Sequence, residues 1–219
     1  MKLKKFFAAS TFILGANIAS ALDAPAGLVP AGLVPGDTFY IIFASSNTLN
    51  GAQTSATYIA HAANAAALGT DTSTIAGWTT LYGHDDSTLV TTSAFTATDR
   101  PIYNTNADLV ASDRATLFSN SQSNAIGYDE SGNVNAANIW TGFNFTGSST
   151  GIGDDSLGGN DALSDGCLAG NAAQTDNKWA ASVLAGGNGC AGANLGLYIL
   201  SPLLTVPTPI SGSASGQDW

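Results

Sequence analysis

Cys167 and Cys190 are the only two cysteines in the 219-residue chain, and both lie in its stretch richest in glycine and aspartate. The first sits in "SDGCLAGN", the second in "GGNGCAGANLGLYIL". The 24 residues from one to the other hold little apolar material, so burial alone gives them a weak reason to fold. A disulfide between them would contribute about 3 kcal/mol in the chain-entropy picture. Neither has CxxC spacing, which argues against redox work. The alternatives are a metal pair with distant histidines, or two free thiols.

A structural disulfide needs an oxidising compartment, and the first residues point to one. "MKLKK" is a basic head, "FFAASTFILGANIASA" is an apolar run too short for a membrane-spanning stop, and Ala19-Ser20-Ala21 has the small-x-small pattern of a cleavage site. Residues 1–21 therefore read as a signal peptide cleaved near Ala21. The expected location is extracellular, with the periplasm as the alternative and no membrane insertion of the mature form. Cleavage removes Lys2, Lys4 and Lys5, leaving Arg100, Arg114 and Lys178 against 16 acids and a net charge of −13. Such a surface repels phosphate backbones and anionic membranes, so nucleic acid is not an expected partner. Divalent cations are its natural counter-ions.

The remaining residues suffice for one domain. "AGLVPAGLVP" reads as an extended lead-in (22–36), 37–207 as the domain, and the small polar residues 208–219 as a disordered tail. "DTFYIIFASS" predicts a buried strand. "TSATYIAHAANAAAL" predicts a helix over 54–68, capped by Thr54 or Ser55 and ended by Gly69, with Tyr58, Ala62 and Ala65 or Ala66 on one stripe and Ile59 beside it. "GWTTLYG", "TLVTTSAF", "RPIYNT", "AIGYDESGN", "ANIWTGFNFTG" and "LGLYILSPLLTVP" read as further strands, and "NADLVASDRATLFSN" as a turn of helix or a loop. Between Phe145 and Asn194 a long irregular region is expected. The fold class is α+β: a mostly antiparallel sheet, one main helix and a long disulfide-stapled loop region.

Residues 36–207 resemble uncharacterised secreted bacterial proteins of the PEP-CTERM-associated type. The resemblance rests on "GDTFYIIFASS", the Ala-rich helix, "PIYNTNADLVASDRATLF", "IWTGFNFTG" and "LGLYILSPLLTVP". The later part is similar to endostatin-like and C-type-lectin-like domains, through Trp140-Thr141-Gly142, Cys167, Trp179, Cys190 and Leu197-Tyr198 in that order. After Pro207 there is no apolar helix with a basic cluster, so the sorting tail of those proteins is not expected here. The Glu-Pro-Asn, Gln-Pro-Asp and Trp-Asn-Asp triplets of calcium-dependent sugar binding are also missing. The resemblance thus implies a scaffold more than a ligand.

Candidate chemistry gathers in the Gly/Asp-rich region. Asp154, Asp155, Asp161 and Asp165 could hold calcium, which takes six to eight oxygen ligands. The alternative is a solvated acidic loop, since the spacing is not that of an EF-hand. Trp78, Trp140 and Trp179 are candidates for a glycan-stacking platform. Trp140 is expected in the core and Trp179 on the surface, with Asn171 and Asn177 as accompanying ligand-binding residues. His84-Asp85-Asp86 is a turn or a metal contributor. Gly147-Ser148-Ser149-Thr150-Gly151 matches G-x-S-x-G, but both histidines precede it, contrary to the hydrolase order. The expected function is a secreted, non-enzymatic binding or adhesion domain for a glycan or a surface or matrix component. A passive structural or matrix protein is the alternative, and a secreted hydrolase the weakest reading.

Overall fold

The computed structural model describes residues 21–85, 89–148, 156–158, 167–185 and 190–209. The described strands are β1 (Leu22–Asp23), β2 (Thr38–Ala44), β3 (Leu49–Asn50), β4 (Thr79–Leu81), β5 (Ile102–Asn104), β6 (Leu109–Ala111), β7 (Asn138–Trp140), β8 (Cys167–Asn171), β9 (Val183–Ala185), β10 (Asn194–Leu200) and β11 (Leu204–Thr205). The helices are α1 (Ser55–Ala66) and the single turn α2 (Arg114–Leu117). One sheet runs β1-β11-β2-β10-β7-β8-β9, with β3 and β4 also on β10, and β5 and β6 branching from β2. Most pairings are antiparallel; β1–β11, β2–β5 and β7–β10 are parallel. The chain is therefore mixed α/β with a mostly sheet core, one main helix and the Cys167–Cys190 disulfide.

"FYIIFA" is apolar at every position because both faces of β2 are covered. Phe39, Ile41 and Phe43 join Leu197 and Ile199 of β10 in a core with α1 on one face. Tyr40, Ile42 and Ala44 join Tyr198 and Leu200 in a second core on the other. The period-2 side-chain alternation of each strand divides its residues between the two.

Helix α1 starts where expected. Thr54 Oγ1 accepts the Thr57 N–H at 3.3 Å, a cap of the kind that is worth about 1 kcal/mol. Tyr58, Ala62, Ala65 and Ala66 are buried, and the Thr80 hydroxyl of β4 donates to the Tyr58 carbonyl at 2.6 Å. Ile59 instead points outward, 62% exposed. At the far end the Ala66 carbonyl, in the last turn, accepts both the Thr72 hydroxyl at 2.7 Å and the Gly69 N–H at 3.3 Å.

Several expected strands are shorter than the sequence suggests. Among the described residues, "TLVTTSAF" forms only a bridge at Leu89 to Gly83, and "AIGYDESGN" only a bridge from Tyr128 to Val134 around a turn. After Trp140 the chain leaves the sheet at Gly142, whose φ is +64°. In the opposite direction, the expected loop region supplies β8 and β9 to the sheet. Cys167, Leu168 and Ala169 are buried against β7 and β9. At Gly170 a Cβ would come 1.7 Å from the Trp179 carbonyl oxygen, so glycine is needed for the close approach. The lead-in is also tied down: Leu22 N–H donates to Leu203 O at 3.0 Å and Ala24 N–H to Thr205 O at 2.9 Å.

Candidate functional site

The described residues that flank the acidic segments converge on Gly51. Its N–H donates to the Cys190 carbonyl at 2.8 Å, and its carbonyl accepts Gly158 N–H at 2.7 Å and Tyr58 Oη–H at 2.8 Å. Cys167 and Cys190 are bonded to each other here and wholly buried. Leu157, also fully buried, bridges the strand-like residues Gly83 to Asp85 through Leu157 N–H to Gly83 O and Asp85 N–H to Leu157 O, both 2.9 Å. The region from 147 to 194 is thus pinned to the sheet at 156–158, at the disulfide, and along β8 and β9. Asp154, Asp155, Asp161 and Asp165 lie outside the described residues, as do Asp86 and Ser149.

His84 stands at this junction. Its Nε2 lies 2.9 Å from the Gln53 carbonyl and its Nδ1 2.8 Å from Asp85 Oδ1, with Tyr58 and Tyr82 edge-on to the ring. Both nitrogens face oxygens, so a metal could take this imidazole only by displacing one. Gly158, at φ +88°, passes so close that a Cβ there would meet His84 Nε2 at 2.2 Å. Among the described residues no three metal-ligating side chains come together.

The expected tryptophan platform is corrected. Trp78, Trp140 and Trp179 are all buried. Trp179, expected on the surface, has no exposure: its ring packs against Phe118, Phe143 and Tyr198 at 5.5, 5.8 and 5.5 Å. The physical reason is the 3-10 turn Asn177–Trp179, capped by Asp176, which folds the indole inward under β8 and β10. Asn177 remains exposed, its N–H donating to Asn120 Oδ1. The Asn171 amide is spent internally, donating to Asn138 Oδ1 at 3.1 Å and accepting Ala173 N–H at 2.9 Å. These three residues therefore do not form one exposed surface. Ser148 sits in a self-closed turn, its N–H donating to Asn144 Oδ1 at 3.1 Å and its carbonyl accepting Asn144 N–H at 3.0 Å.

Two polar contacts had no signal in spacing or composition. Ser45 Oγ accepts Leu197 N–H at 2.9 Å and lies 3.0 Å from both Asn47 O and His61 Nε2. Ser45 and His61 are buried, so this serine–histidine contact knots β2, β10 and α1 together inside the fold. The chain's single glutamate, Glu130, is buried with its carboxylate held by the Ser46 N–H at 3.0 Å and by the Ser46 hydroxyl. Both pairings span long sequence distances, which is why only the tertiary structure reveals them.

Burial lowers the His61 pKa from its ordinary 6.5 to about 4. Between those values the unfolded chain takes up a proton that the folded one refuses, so stability is lost as pH falls through the window. The expected loss is about 1–2 kcal/mol, less than the full shift because pH 4.5 lies above the folded value. Urea midpoints at pH 7 and pH 4.5 check this. The His61→Gln variant should lack this part of the pH dependence, and an identical dependence in both proteins would refute the assignment.

No family model matches the chain, and no curated protein or solved structure matches it either. Among the described residues no helix is long and apolar enough to cross a membrane.

Proposed function

We propose that the protein is a secreted, non-enzymatic binding or adhesion domain of the C-type-lectin-like or endostatin-like kind, acting through the Gly/Asp-rich region at 147–194. The observation that supports this most is the anchoring of that region: Leu157, the disulfide and Trp179 hold it to the sheet, with Asp154 and Asp155 just before the first anchor and Asp161 and Asp165 between Leu157 and Cys167. Recognition segments fixed on a rigid scaffold are a common way to build a binding surface. Its partner on this reading is a glycan or a surface or matrix component. The internal use of Trp179 and Asn171 favours the passive structural reading as the second choice.

Two measurements decide between them. Thermal unfolding with calcium and with a chelator should show a rise of about 5–10 °C at a hundredfold excess of calcium over Kd, from about 2.7 kcal/mol of linkage. Replacing 159–166 by a Gly/Ser linker of equal length should leave the disulfide and the fold intact. The linker variant is expected to lose both the calcium shift and retention on extracellular matrix or cell-surface glycan. Retention equal to that of the parent protein would defeat the binding role of this region.

A further inference from the structure

A different face of the molecule carries an open groove of about 240 Å³, lined by Asn104, Asp108, Asn124, Ala125, Tyr128 and Val134 among others. We infer that this groove binds a neutral saccharide residue, without a metal. The inference specifies a ligand class within the binding role proposed above and rests on that role, but it uses a separate site.

The walls are preorganised. Asn104, fully buried at the end of β5, accepts Asn106 N–H and Asp108 N–H on its Oδ1, both at 3.0 Å, and donates from Nδ2 to Ala125 O at 3.2 Å. That ring of bonds sets the tight turn in which Ala107 takes a left-handed φ of 65°. The turn places Asp108 on the rim, its Oδ2 held by Asn106 Nδ2 at 3.1 Å. Opposite, the hairpin from Tyr128 to Val134 is closed by Asp129, whose Oδ1 accepts Ser131 N–H and Asn133 N–H, both at 2.9 Å. The Tyr128 carbonyl accepts the Ala44 N–H at 2.9 Å, which docks the hairpin on β2.

What these walls offer selects the ligand. Asp108 Oδ1, Asn124 Oδ1 and Tyr128 Oη make no hydrogen bond to any described residue. They present two acceptors and a phenol beside an apolar rim of Tyr128, Ala125 and Val134, the last 77% exposed. Among the described lining residues there is no cation and Asp108 is the one acid, so the groove repels anions and offers calcium a single carboxylate. A pyranose matches both features: its C–H face covers the apolar rim while its hydroxyls donate to the carboxylate and amide. The volume suits one ring, and an open groove of this size gives millimolar affinity.

The test is an amide chemical-shift titration of the protein with methyl glycosides of the common neutral hexoses and N-acetylhexosamines, and with inorganic phosphate. At least one glycoside is expected to shift the amides of Asp108, Asn124, Gly127 and Val134 saturably, and phosphate is not. Asn124→Ala should weaken that binding about fivefold, the loss of one hydrogen bond. Val134→Asp, at an exposed position, should abolish it while leaving the rest of the spectrum unchanged. The 159–166 linker variant should bind the glycoside as the parent does. Silence of these amides toward every glycoside, a response to phosphate instead, or unaltered affinity in both variants overturns the inference. Glycoside shifts centred elsewhere would overturn the groove and leave the broader binding role standing.

Discussion

Replacing Trp179 by alanine is expected to cost about 3–5 kcal/mol, the range for emptying a large aromatic site in a packed core. In a domain of this length that lowers Tm by about 6–20 °C. The indole is fully buried between Phe118, Phe143 and Tyr198, and the Tyr198 hydroxyl donates to the Trp179 carbonyl at 2.8 Å. Its Nε1 has no hydrogen-bond partner among the described residues. Trp179→Phe therefore loses volume without losing a bond, and should cost clearly less than the alanine variant because it leaves a smaller cavity. Trp140 provides the contrast, since its Nε1 donates to Leu49 O at 2.9 Å and phenylalanine there would lose that hydrogen bond. Thermal and urea unfolding of the three variants check the order. An alanine variant at 179 that kept the parent Tm but lost ligand would mean that the indole works on the surface after all.

The second large effect is expected at the disulfide. Removing it in a Cys167→Ala, Cys190→Ala double variant should destabilise by about 3 kcal/mol, or about 6–12 °C in Tm. The bond joins β8 to the turn that leads into β10, and the intervening residues are held otherwise by β9 and Trp179. Both sulfurs are buried, so reductant should act slowly on the folded protein and quickly once denaturant opens it. Comparison of urea midpoints for the oxidised protein, the reduced protein and the double variant measures the term. Equal midpoints would show that burial of Cys167 and Cys190 does all of the work. Because the bridge constrains the unfolded chain, its loss should act mainly on the equilibrium and not on the groove at Asn104 and Tyr128.

Much of the fold was legible where local patterns are strong. The run "TFYIIFA" was a buried strand because no polar residue interrupts it, and the Thr54-capped alanine run was a helix by propensity and capping alone. Asp176, Asp113 and Thr54 all cap turns of helix, the use for which short polar side chains are suited. The candidate site was far less legible. Trp179 lies in a polar neighbourhood that reads as surface, and nothing local says that the next turn drives its ring under β8. The strands β8 and β9 were hidden because "CLAGN" and "VLA" are short and rich in small residues, and they exist by pairing with partners already in place.

By itself the sequence determined the strongly acidic charge, the one main helix and the two long buried strands, and it made the Cys167–Cys190 pairing the expected one. Those properties follow from composition and local periodicity, which act within a few residues. Tertiary structure alone decided that Trp179 faces inward, that Ser45 meets His61 and Ser46 meets Glu130, and that Asn104, Asn124 and Tyr128 share one groove. Each of those depends on contacts between residues far apart in the chain. Such contacts are set by what lies across the sheet from a side chain, and that is a property of the packed whole and not of any segment.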